Sequence, residues 1–196
     1  MSTEGWMNRI ATASPRFKAR AAGVFYLLNM VVCISAMIFN HGWLAAYRGA
    51  TTLISTLCYL AVTLLFYEIF KPVSRSLSLI AALFSLVGCV LGAHSLLHFP
   101  PPPISSLVFF GFYCLLIGYL IFRSTFMPHI LGVLMALAGL GYLTYLSPPL
   151  AHSLFPWNVA PGGLGEGLLT LWLLVFGVNA ERWQEQAGAA GRRRLA

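Results

Sequence analysis

The stretch Val108–Leu143, VFFGFYCLLIGYLIFRSTFMPHILGVLMALAGLGYL, constrains this chain more than any other. It holds two apolar runs parted by Arg123-Ser124-Thr125-Phe126-Met127-Pro128. Each run approaches the ~20 residues that an α-helix needs to cross ~30 Å of hydrocarbon. A cation and a proline suited to a first helical turn mark the hinge between them. Backbone groups in hydrocarbon must be bonded within their own segment, so both runs are predicted to be helical. The short connection makes them antiparallel neighbours. Gly132, Ala136 and Gly139 lie along the second run and let a neighbouring backbone come close.

The same pattern recurs along the chain. Spans are predicted at about 19–40, 51–70, 76–98, 105–123, 128–146 and 164–180, within a transmembrane domain covering 16–183. A polar segment, 1–15, precedes it and a basic tail, 184–196, follows. The predicted fold is an all-α membrane protein, a six-helix antiparallel transmembrane bundle. With 59% hydrophobic and 9% charged residues, an ordinary soluble domain is excluded, because such a surface needs roughly a quarter charged residues. The first run follows Arg16, Lys18 and Arg20 and is long enough to span, so it is expected to remain as a signal anchor.

The net charge of +7 is placed at the ends of apolar runs. With a cytoplasmic N terminus, the N-terminal segment, the second and fourth connections and the C-terminal tail hold every Lys and Arg except Arg48. The excess of cations on one side predicts an N-in/C-in topology in the plasma (inner) membrane. Arg16, Lys18, Arg20, Lys71, Arg75, Arg123 and Arg182 are expected to anchor the inner ends to lipids, including anionic headgroups. No basic stripe interleaved with aromatics points to nucleic acid. Glu68, beside Lys71 and Arg75, is expected to pair locally.

Polar groups inside the runs recur at helical spacing and are expected to face other helices, since an amide in hydrocarbon needs a partner. In the first span these are Tyr26, Asn29, Cys33 and Asn40. In the second they are Thr52, Thr56, Tyr59, Thr63 and Tyr67. The third carries Gly88 and Gly92 with Ser85 and Ser95 on the same side, then meets Pro100–Pro103, a stiff connector. Cys33, Cys58, Cys89 and Cys114 all fall within apolar runs and read as small buried hydrophobes. Trp157 and Phe155 suit a headgroup-level belt.

The wording of the later spans is also familiar. The hairpin above, LGEGLLTLWLLVFGVNAERW, SPRFKARAAGVFYLL and FKPVSRSLSLIAALFSLV together resemble a bacterial membrane family known as domain of unknown function 4386. The likeness covers most of 14–183 and implies a six-helix integral membrane protein, with no assigned activity. Arg123, Pro128, Gly132, Glu166, Trp172, Asn179 and Trp183 carry it. Two departures stand out against that family: a shorter segment between the third and fourth spans, and Tyr113 where members often have histidine.

With that topology, His41, His94, His98, His152 and Glu166 gather on the outer membrane face. His94 and His98 are four apart, on one side of a helix, a spacing that can share a metal; zinc is the ion such a set takes. Glu166 has two readings. At a helix start it is stabilised by free N–H groups, and inside a span it is a candidate for binding a cation or exchanging a proton. Three functional readings follow. The leading one is a small or lipid-like ligand held in an outward-facing polar cavity between the first, third and sixth helices, lined by Glu166, His94, His98, Asn29 and Asn40. The second is a metal-dependent membrane hydrolase using His41, His94, His98, His152 and Glu166. The third is a structural or accessory subunit associating, with itself or a partner, through Gly88, Gly92, Gly132, Ala136 and Gly139. No established cofactor and no specific reaction follow from the residues.

Overall fold

A computed structural model describes residues 14–38, 48–94, 96, 100 and 102–195. Asn40, His41, Ser95, His98 and the segment 1–13 lie outside the described residues, and with them part of the expected histidine cluster. Regular structure among the described residues is helical: α1 (Pro15–Ile38), α2 (Arg48–Phe70), α3 (Arg75–Gly92), α4 (Ser106–Arg123), α5 (His129–Leu143), α6 (Pro148–Leu154), α7 (Ala160–Val175) and α8 (Ala180–Leu195). A 3-10 turn, Thr144–Leu146, extends α5.

α1, α3 and α4 start where a serine offers an acceptor to their first free N–H groups. Ser14 Oγ accepts from Phe17 N, Ser74 Oγ from Leu77 N and Ser105 Oγ from Leu107 N, at 3.2, 3.4 and 3.3 Å. Six helices then pack as a ring. Each of α1 to α4 lies against the next in the chain, α5 packs on α7, and α7 returns to α1. The closest approach is within the hairpin of α4 and α5. A Cβ on Gly118 would sit 2.7 Å from Gly132 O, one on Gly132 equally near Gly118 O, and one on Gly139 equally near Gly111 O. Side chains are thus excluded where the backbones touch, so Gly132 and Gly139 meet a neighbour of the same chain. Gly88 likewise takes the Phe110 ring, 3.0 Å from where its Cβ would lie.

Inside the ring, Tyr26, Tyr59, Phe66, Tyr113, Met135 and Leu169 form part of one continuous core. The outside is apolar too. Val24, Val31, Leu64, Leu83, Val133 and Leu171 are all exposed. A surface of this kind is stable only in contact with hydrocarbon. Five helices are long and apolar enough to cross a membrane, six if the bent pair α7 and α8 is counted as one span.

The basic residues Arg16, Lys18, Arg20, Lys71, Arg75, Arg123 and Arg182 all fall near one end of this bundle, hereafter the basic end. Lys18 differs from its expected role. It is 4% exposed and turned inward, its Nζ 3.0 Å from Glu68 Oε2, while Lys71 Nζ lies 2.6 Å from Glu68 Oε1. The local pair expected for Glu68 is therefore present with Lys71, but a second cation reaches it from α1. Burial of the lysine stem against α2 places its charge on the carboxylate rather than among headgroups.

Three boundaries differ from expectation. α3 stops at Gly92, with Ala93 N still bonded to Cys89 O at 2.9 Å, so the third helix is shorter than 76–98. The expected loop after α5 contains α6, which Asn158 ties back through Nδ2 to Thr144 Oγ1 and Ala151 O, at 3.0 and 3.2 Å. The sixth span begins earlier, at Ala160, and ends at Val175. Phe176 N and Gly177 N both bond to Trp172 O, and Gly177 takes φ +67°, a left-handed conformation that closes helices. Asn179 then caps α8, accepting from Arg182 N at 3.1 Å. α8 leaves at 102° to α7 and crosses the basic end, so the tail expected at 184–196 is helical over its described residues. Trp183 Nε1 fastens it to Ile69 O at 2.8 Å.

Candidate functional site

A cavity of about 290 Å³ opens in the half of the bundle away from the basic end. α1 and α2 supply most of its polar wall, and α3, α4, α5 and α7 close it. The walls follow from the helical repeat. Asn29, Val32, Cys33 and Ala36 fall on one side of α1, and Thr52, Ser55, Thr56 and Tyr59 on one side of α2. The two rows meet at Asn29, which is 6% exposed: its Oδ1 accepts from Ser55 Oγ at 2.6 Å and from Cys33 Sγ at 3.9 Å. Hydrocarbon offers an amide no partner, so this short bond fixes the α1/α2 register as well as the wall.

Glu166 lies at the inner boundary of the cavity, on the second turn of α7, and is buried. Cys114 Sγ points at its Oε1 from 3.7 Å, and the hydroxyls of Tyr26 and Tyr142 lie beside it. Gly162 makes room for Tyr142, whose hydroxyl a Cβ there would strike. Gly165 allows α7 against α5, its Cβ position being 2.8 Å from Leu134 O. Below this floor Tyr26 and Tyr59 approach edge to face, with ring centroids 5.7 Å and hydroxyls 3.5 Å apart. Thr63 Oγ1 and Ser85 Oγ, 2.6 Å apart, seal the layer beneath between α2 and α3. The Tyr113 hydroxyl in this layer is buried without a hydrogen-bond partner among the described residues.

Chemically the cavity is a set of acceptors and ring faces. Tyr59 and Phe110, with centroids 4.8 Å apart, and Tyr142 supply the rings; Asn29 and Glu166 supply the strongest acceptors. Among the side chains that the structure describes, no Lys, Arg or His lines it, and Lys18 and Lys71 pair with Glu68 at the basic end.

Of the residues singled out from sequence, Glu166 and Asn29 meet in this cavity, and Gly88 and Gly92 form part of its wall rather than an outer face. His94 does not line it; its ring turns back on its own helix end, Nδ1 2.9 Å from Leu91 O. His152 is exposed on α6. No three His, Cys, Asp or Glu side chains among the described residues gather as a metal site, so His94, His152 and Glu166 do not form the expected donor set. Asn40, His41 and His98 are outside the described residues. Residues of the first, third and sixth helices line the cavity as expected, and α2, which the expectation left out, adds Thr51, Thr52, Ser55, Thr56 and Tyr59. Ser55 and Tyr142 are wall residues that escaped the sequence reading. Ser55 had a signal, being four residues from both Thr51 and Tyr59, whereas nothing local to Tyr142 announces that it reaches across to α7.

These features define a class: an α-helical bundle with a hydrocarbon-compatible outside and a polar chamber in the half away from the basic end. Its sequence matches the family described as domain of unknown function DUF4386 over residues 25–102 and 104–177, and the chain belongs to that family. It is also similar to a protein of the archaeon Archaeoglobus fulgidus described as uncharacterized, 29% identical over 123 residues, 59% of this chain and 75% of the relative. No solved structure matches the chain.

Proposed function

We propose that this protein spans the plasma membrane six times, with the basic end in the cytoplasm, and holds one small or lipid-like molecule in its outward-facing chamber. The observation that carries the reading is the chamber itself: about 290 Å³ within a bundle, bounded by Asn29 and Glu166. Sites between bundle helices with apolar walls and a few convergent polar groups are where small molecules bind. The cation distribution supports the orientation, since every Lys and Arg except Arg48 belongs to the N-terminal segment, the connections at the basic end or the C-terminal part. α7, at 16 residues, spans about 24 Å and completes its crossing through the Phe176–Asn179 turn.

Native mass spectrometry of the protein released from mild detergent tests the reading, with wild type beside Gly92→Leu. Gly92 borders the chamber and a Cβ there would make only ordinary contact with Ser106, whose Oγ is 3.8 Å away, so the position has room for a side chain that narrows the chamber. Wild type is expected to retain, or take up from a total lipid and metabolite extract, one molecule per chain, and Gly92→Leu none. A wild-type protein that stays bare in the extract would refute it.

A further inference from the structure

We infer that the molecule this chamber takes is a small organic monocation, an ammonium or quaternary ammonium compound, with Glu166 as its counter-ion. The inference rests on the ligand-chamber reading above and names the chemical class of the occupant. Three observations converge on it. Glu166 is the one acid bordering the chamber, is 9% exposed, and has no cationic side chain against it among the described residues. Its neighbours are neutral: a thiol at 3.7 Å and two phenols. A carboxyl so placed either takes up a proton or is held ionised by a counter-charge, and a cation bound in the chamber supplies that charge.

The rest of the wall suits the same guest. Tyr59, Phe110 and Tyr142 present rings, whose negative faces attract cations and are enriched in sites for quaternary ammonium groups. Asn29, its Oδ1 held by Ser55 Oγ, adds an amide dipole to the wall, and Val32 and Leu107 cover an alkyl part. Size separates an organic cation from a bare metal ion. A volume of about 290 Å³ is room for roughly ten water molecules, far beyond what one dehydrated sodium or potassium ion fills. An anionic guest would meet the like charge of the Glu166 carboxylate at the floor of the chamber.

Choline and its uncharged isostere 3,3-dimethylbutan-1-ol test this directly, because they differ in charge and hardly in shape. Equilibrium binding to the full-length protein in non-ionic detergent is measured for both, with wild type, Glu166→Gln and Gly92→Leu. Choline is expected to bind wild type about tenfold or more tighter than the alcohol. Glu166→Gln should abolish that preference, and Gly92→Leu should lose choline altogether. The wild-type comparison stands even if a variant fails to fold. Equal binding of the two probes, both lost in Gly92→Leu, would overturn the cation assignment while leaving a ligand chamber in place. Binding of neither probe, with an occupant still found by mass spectrometry, would do the same. Displacement of choline by equimolar sodium or potassium would overturn it in favour of an inorganic ion.

Discussion

Gly118 and Gly132 face each other across the α4/α5 hairpin so closely that a Cβ on either would lie 2.7 Å from the other's carbonyl oxygen. The contact is reciprocal and involves backbone on both sides, so neither helix can yield by moving a side chain. Gly132→Leu is expected to lower stability by about 1–3 kcal/mol, the usual penalty for overpacking. Gly92→Leu, whose Cβ would make only ordinary contact with Ser106, should change it far less. Thermal denaturation in detergent ranks the two, and equal midpoints would mean that the hairpin is not packed as described.

Glu68 holds Lys18 and Lys71 together at the basic end. Removing the carboxylate leaves two cations converging on one place, whereas removing either lysine leaves Glu68 one partner. Glu68→Gln is therefore expected to destabilise more than Lys71→Met, by roughly 1–3 kcal/mol, the loss seen when a partly buried polar group is left unsatisfied. Denaturation midpoints of the two variants check the order, which a larger loss in Lys71→Met would reverse.

Cys33 is the exposed member of four free cysteines; Cys58, Cys89 and Cys114 are buried. A charged, water-soluble methanethiosulfonate reagent is expected to modify one thiol per native chain, and none in Cys33→Ser. In the proposed orientation an impermeant reagent added outside intact cells reaches it. Mass spectrometry counts the adducts, and labelling only after the cells are opened would invert the topology.

The turn between α7 and α8 depends on Gly177 at φ +67°. A Cβ in that conformation costs about 1–2 kcal/mol, and asparagine tolerates it better than alanine. Gly177→Ala is thus expected to loosen α8 and with it the Trp183 bond to Ile69. Limited proteolysis should cut after Arg182 sooner in Gly177→Ala than in Gly177→Asn; identical cleavage would show that the turn does not hold α8.

The glycines of the hairpin show how far the sequence reaches. Gly132 and Gly139 were legible as points of close approach because small residues stand out in an apolar run, but their partners Gly111 and Gly118 depend on how α4 rotates against α5. The hydroxyl row of α2 was legible for the same reason, since polar groups in hydrocarbon must turn inward. By contrast, residues 76–98 read as one span, while α3 ends at Gly92, because apolarity marks what a membrane accepts and not where a helix stops. The sixth span ran on to 180 in the sequence for the same reason, although the Gly177 turn ends it at Val175.

What the sequence by itself determined is the solvent: runs this apolar and this regular commit the chain to helices in contact with hydrocarbon. It also determined which end carries the cations. The ring order, the inward turn of Lys18 onto Glu68 and the meeting of Asn29, Ser55, Tyr142 and Glu166 around one chamber were decided by the tertiary structure. Hydropathy is additive along a chain and can be read residue by residue. A cavity is a remainder left by packing, set by side chains from six helices that the sequence keeps up to 137 positions apart, from Asn29 to Glu166.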